Sequence, residues 1–248
     1  MDQYVIQDGN EEIREEIPLV MKMIERSARW VHPETFRRLP VWCPWTARGR
    51  QLYDSSWTRK YTNTKRSTKE TTNKMEGNIA ASEALRRALG VRSPKPKNWT
   101  VCHIWGYDDG AFAAQGRIVR DPRYFSCVGN MVWLPTPLKG FTDALPEIKT
   151  MLRTCAFHLY GWACEHDDAR DEASRIRGGL MPAGYPASWP TADQPDRHPR
   201  GTAPLTTYVE SAIQKQREKI RLLLADTDLI HFPREEVKSV LEFWRIAI

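Results

Sequence analysis

In the run NWTVCHIWG, residues 98–106, the chain places one histidine, His103, between Cys102 and Ile104, with Trp99 and Trp105 close on either side. A neutral imidazole titrates near pH 7 and is the side chain best suited to take a proton from water there. The run reads as a strand. A half-buried histidine in such a run is either a hydrogen-bonded core residue or a group held for proton chemistry. Further on, FSCVGNMVWLP (125–135) carries Asn130 ahead of a second strand-like run, and FTDALPEIK (141–149) carries Asp143 where a helical pattern begins. These residue types suit phosphodiester hydrolysis. It needs a base for water, an amide carbonyl that accepts the other ring N–H and so fixes the tautomer, and a hard oxygen ligand for a divalent ion. Each has a plainer use as well: Asn130 follows Gly129 and suits a turn, and Asp143 suits a helix cap.

The surrounding elements follow from periodicity. Residues 11–31 carry apolar residues at helical spacing, with Pro18 near a helix start or a kink, and VHPETFRRLPVWCPW after them is broken by prolines. SSWTRKYTNTKRSTKETTNK is polar and threonine-rich, a loop in the absence of a partner. Residues 74–90 read as a helix stopped by Gly90. After VRSPKPK come the His103 strand, a long loop, the Asn130 strand and a helix. That helix is capped by Thr142 or Asp143, with Pro146 in its first turn and Leu145, Ile148, Leu152 and Ala156 continuing it. Residues 178–205 are rich in proline and glycine and predict an irregular connection. The last helical stretches offer Leu222, Leu223, Leu224, Val237, Leu241 and Trp244 to the core or to a second copy of the chain.

Composition narrows the partners. With 248 residues, 41% of them hydrophobic, and ten tryptophans, the chain has enough apolar material for a real core. No apolar run approaches the roughly 20 residues of a membrane span, and the acidic start lacks the pattern of a signal peptide, so the expected setting is cytoplasmic, with no membrane partner. Five cysteines without a CxxC pair predict buried thiols, not a disulfide framework. His158, Cys164 and His166 are close in sequence but make a poor case for a metal site. The net charge is +6, and from Arg48 to Lys97 the many lysines and arginines face only Asp54, Glu70, Glu76 and Glu83. Trp45, Tyr53, Trp57 and Tyr61 interleave with the first of them. Cations beside flat rings suit a nucleic acid. The candidate phosphate contacts are Lys60, Lys65, Arg66, Lys69, Lys74, Lys95 and Lys97, joined near His103 by Arg120, Arg123 and Lys139.

The segments CHIWG (102–106), DPRYFSCVGNMVWLPTPLKGFTD (121–143) and LYGW (159–162) together resemble the HNH, or ββα-metal (His-Me finger), endonucleases. The branch concerned is written H-I-W … N-[LM]-V-x-L-P … L-x-x-x-T-D, and the resemblance covers about residues 74–166. It implies an α+β fold, mainly helical, around a central ββα-metal unit. It also implies His103 as general base, Asn130 as the residue positioning it, Asp143 as metal ligand, and Mg²⁺ or Mn²⁺ as cofactor. Four segments are expected: a helical region over 1–47, the basic segment over 48–97, the nuclease core over 98–177, and the connection with C-terminal helices over 178–248. Double-stranded DNA is the implied substrate, and a restriction or other defence enzyme cutting a palindrome would work as a homodimer. The chain departs from the family in having Cys102 where an Asp or His ligand commonly precedes the base, and in the shifted register of Asp143; Asp121 or Asp109 could complete the site. Two other readings stand beside it. Glu147 and Lys149, with Asp121 or Asp143 upstream, have the spacing of a PD-(D/E)xK nuclease, which needs the pair on a strand. A nucleic-acid-binding protein without activity would account for Cys102.

Overall fold

The computed structural model describes residues 8–48, 60–62, 71–73, 77–94, 96–106, 116–229 and 232–248, with the backbone alone at 60–62, 71–73 and 77–78. The first helices are α1 (Gly9–Glu12), α2 (Ile17–Ser27) and α3 (Pro33–Arg38). Pro18 lies in the opening turn of α2, where a missing N–H costs nothing. Strands β1 (Lys60–Thr62) and β2 (Thr71–Asn73) pair antiparallel, so part of the stretch read as loop is a short β-ribbon. Threonines at 62, 71 and 72 favour that extended backbone. Helix α4 (Gly77–Ala88) ends as expected, with Gly90 at φ 72°.

Strand β3 (Trp99–His103) and strand β4 (Met131–Pro135) form the second antiparallel pair, in the register Trp99↔Pro135 through His103↔Met131. Because side chains alternate, Trp99, Val101 and His103 share one face with Met131 and Trp133, while Cys102 and Val132 point the other way. Between the strands lies α5 (Pro122–Phe125), and beyond β4 come α6 (Thr136–Ala144) and α7 (Pro146–Tyr160). One continuous helix capped by Thr142 or Asp143 is not what forms. Pro146 pushes Leu145 into the extended region (φ −113°, ψ 102°), so Leu145 is the cap and both earlier residues sit inside α6. Helices α8 (Arg170–Arg177), α9 (Thr207–Ala225) and α10 (Arg234–Phe243) complete the chain, with residues 178–205 irregular as read. The fold is α+β, mostly helical, with small two-stranded sheets. No helix among the described residues is long and apolar enough to cross a membrane.

The β3–β4 pair is widened by two distant pieces of chain. Arg29 exchanges backbone bonds with Trp133 (2.9 and 3.1 Å), and Trp30 does so with Gly201 and Ala203 (3.0 and 2.8 Å). Gly201 is obligatory, since a Cβ there would lie 1.8 Å from the Ala28 carbonyl oxygen. One hydrophobic cluster runs from Val20 to Leu241 and draws on all four sequence segments. All five cysteines are free thiols, four of them buried.

His32 caps α3: its Nδ1 accepts the Glu34 N–H at 3.1 Å, which needs an unprotonated ring. Burial, then the neighbouring His198 and Arg37, hold its pKa below the ordinary value against the opposing pull of Glu34. A depressed histidine contributes stability that is complete above the unfolded value of about 6.5 and is lost as pH falls below it. The expected result is a melting temperature that declines below about pH 6.5 and declines less in His32→Asn, which keeps a capping acceptor but cannot titrate.

Candidate active site

His103 is the last residue of β3 and retains 8% of its exposure. Its ring lies stacked on Phe125, with centroids 5.3 Å apart and planes at 20°, and its Nε2 is 2.8 Å from the Phe125 carbonyl oxygen. A carbonyl only accepts, so this bond places the proton on Nε2 and leaves Nδ1 as the basic nitrogen of the neutral ring.

Asn130 is wholly buried and does something other than expected. The ring's acceptor is the Phe125 backbone, not the Asn130 side chain. Asn130 Oδ1 accepts the Trp105 N–H at 2.7 Å, and its Nδ2 donates to the carbonyls of Trp105 and Tyr124, both at 3.1 Å. Its own carbonyl accepts the Ile104 N–H at 3.0 Å. The reason is local: past His103 the ladder ends, and Trp105 has buried backbone groups that an amide side chain satisfies. Asn130 thereby ties the chain two residues after His103 to the chain one residue before Phe125. It positions the imidazole through the backbone at both ends of the His103–Phe125 bond.

Asp143 lies in the last turn of α6 and forms an ion pair with Lys139. Its neighbour Thr142 reaches Cys102, with Oγ1 and Sγ 3.0 Å apart, so α6 covers the face of β3 opposite to His103. Burial pushes the Cys102 thiol up, with Lys149 and the Thr142 hydroxyl pulling against it, so at neutral pH the sulfur is a protonated thiol. The donors at this position are one carboxylate, one hydroxyl and a neutral thiol. The one carboxylate is already bound by Lys139 and lies away from the His103 face, so the set fits neither an ion acting beside His103 nor a thiolate metal such as zinc. Among the described residues no three His, Cys, Asp or Glu side chains cluster as a metal cage. His166 is occupied as a cap, its Nδ1 accepting the Asp168 N–H at 3.1 Å.

The other candidates divide. Asp121 caps α5 by accepting the Arg123 N–H (2.8 Å) and binds the Arg123 guanidinium (2.5 and 2.9 Å), which commits its carboxylate to the fold. Arg123 lies over Phe243 and anchors α10 to α5, Trp244 donating to its carbonyl at 2.8 Å. Lys97 and Arg120 are exposed, and Lys139 is paired with Asp143. Lys60 lies in β1; Lys65, Arg66, Lys69, Lys74, Lys95 and Asp109 fall outside the described residues. Glu147 and Lys149 are in the first turn of α7, not on a strand. Glu147 reaches Arg14 at the surface while Lys149 is buried, as expected for residues two apart on a helix, which do not face each other.

A further pair supports the site. Arg153 of α7 is fully buried; its Nε donates to the Ile104 carbonyl at 2.5 Å, its guanidinium lies 4.8 Å over the Trp105 ring, and it forms an ion pair with Glu172 of α8. Thr150 donates to the same carboxylate at 2.8 Å. The hint in the sequence is an arginine on the apolar side of α7, between Leu152 and Cys155. The histidine segment is thus held from one side by an amide and from the other by a buried ion pair. Compared with known proteins, the chain matches no family model, no curated protein and no solved structure.

Proposed function

We propose that the chain is a metal-dependent DNA endonuclease of the HNH kind, a restriction or other defence enzyme that hydrolyses phosphodiester bonds with water deprotonated by His103. The observation that carries the reading is the Nε2 bond to the Phe125 carbonyl. It fixes the tautomer, makes Nδ1 the proton acceptor, and gives the imidazolium formed after proton uptake a carbonyl dipole to rest against. The resemblance assigns Mg²⁺ or Mn²⁺ to Asp143, but that carboxylate is paired with Lys139 on α6, which covers the face of β3 opposite to His103, so no step at His103 is routed through an ion held there. The two strands of a palindromic site would be cut by two copies related by a two-fold axis.

The test is cleavage of supercoiled plasmid and of phage DNA in Mg²⁺, Mn²⁺ or EDTA. Nicked or linear products with either metal and none in EDTA are expected, and the ends define any recognition site. Intact DNA under every metal condition overturns the reading. The second reading, a binding protein that does not cut, is favoured by the neutral Cys102 thiol hydrogen-bonded to Thr142 where the resemblance implies a ligand.

A further inference from the structure

The face of β3 that carries His103 continues to Trp99, four residues back and roughly 13 Å away at strand rise. There it opens into a groove of about 780 Å³. Trp99 and Trp133 lie side by side across the strand pair, centroids 5.0 Å apart, both partly exposed. Arg26, Arg29 and Arg200 stand on the wall, and no carboxylate is among the described residues that line it. Arg29 is held in place by the Ser27 carbonyl at 2.7 Å and lies 5.2 Å over the Trp99 ring. The side chains of Arg26 and Arg200 are exposed and make no ion pair or hydrogen bond among the described residues. One guanidinium over an indole and two more arginines on the same concave wall, with no acidic side chain among the described lining residues, lack the counter-charge that a merely structural cluster carries.

We propose that this groove binds one nucleotide of a DNA strand, its base against the indoles of Trp99 and Trp133 and its phosphates on Arg26, Arg29 and Arg200. The volume is that of a small-ligand site, large enough for a base and its sugar-phosphate. Stacking accepts any base, and guanidinium groups suit phosphate oxygens. A base can reach the indoles only when it leaves its own stack, so the ligand is an unpaired or extruded nucleotide. The proposal relies on the nuclease reading only for the choice of polymer. Under that reading the groove sets the register of the strand, holding it a few nucleotides from the phosphate presented to His103.

The experiment is fluorescence anisotropy in EDTA, with labelled single-stranded 12-mers of thymidine and of abasic sites. The thymidine strand should bind at least about fivefold tighter than the abasic one, and Trp99→Leu should remove that preference. The paired change Arg26→Ala/Arg200→Ala, confined to exposed side chains, should weaken both strands and reduce the salt slope by about 0.7 per arginine. Equal binding of the two strands by the wild type, or an unchanged salt slope in the arginine variant, overturns the proposal. If dTMP displaces the 12-mer at the 12-mer's own Kd, the strand assignment is overturned in favour of a free nucleotide. Base-dependent binding by a protein that cuts no plasmid removes the nuclease reading and keeps the groove. Cleavage by a protein whose binding ignores these residues does the reverse.

Discussion

Replacing His103 with alanine should lower metal-dependent plasmid cleavage by about a hundredfold or more, the range for loss of a positioned general base, while DNA binding in EDTA stays within a few-fold of wild type. The binding surfaces argued for lie elsewhere, on the basic segment and in the tryptophan groove, and His103 is almost covered. The substitution also removes the Phe125 contact and its hydrogen bond, so some loss of stability accompanies it. His103→Gln separates the two effects, because its amide can still donate to the Phe125 carbonyl but cannot take a proton at neutral pH. A glutamine variant that folds like wild type and does not cut places the loss in the chemistry. Partial return of cleavage on adding imidazole to the alanine variant would point the same way. If the glutamine variant cuts normally, His103 is a core histidine and the mechanism falls.

Glu172→Ala should destabilise the protein by about 3–5 kcal/mol, the usual cost of leaving one member of a buried ion pair uncompensated. For a chain of this size that amounts to a fall in melting temperature of roughly 6–20 °C. The carboxylate is the counter-charge of Arg153, and Thr150 donates to it as well. Arg153 cannot shed its proton, and its guanidinium lies over the Trp105 ring. Without Glu172 the guanidinium must either stay charged in the core or swing out and release the Ile104 carbonyl. Urea or thermal unfolding measures the loss. The double change Arg153→Met/Glu172→Leu should recover much of it, since an apolar replacement of a buried pair is often close to neutral. Its cleavage rate would still be reduced, because Ile104 has lost the donor that steadies the residue next to His103. Full stability in Glu172→Ala overturns this account.

The elements with strong local signals were legible in the chain. Gly90 stops α4, Pro18 opens α2, and the runs WTVCH and MVWLP read as the two strands. Two features were hidden for physical reasons. Helix α6 is short and carries Gly140 in its interior, a poor helix former, and exists because it packs on both strands and on α2. The pairings of Arg29 with Trp133 and of Trp30 with Gly201 join residues with no mutual signature in sequence. Of the site, His103 and Asn130 come to adjoining segments as the motif suggests, but the link between them is the backbone of Tyr124, Phe125 and Trp105, and backbone partners are invisible in side-chain types. The Arg153–Glu172 pair escaped for a related reason: each residue reads alone as a surface charge, and only tertiary packing makes them neighbours.

The widened sheet has a consequence for how the chain is made. Its pieces come from residues 29–30, 99–103, 131–135 and 201–203, so its backbone pairings close loops that grow with each addition. On a ribosome the first helices emerge early, yet Arg29 must wait for Trp133, and Trp30 for Gly201 and Ala203. Until residue 189 is made the Trp30 indole also lacks its cover, Trp189, which packs edge-on at 5.8 Å. A chain stalled before residue 189 therefore presents an open strand edge beside a bare tryptophan, the combination that invites pairing with another nascent copy. Translation through Gly201 and Ala203 closes that edge.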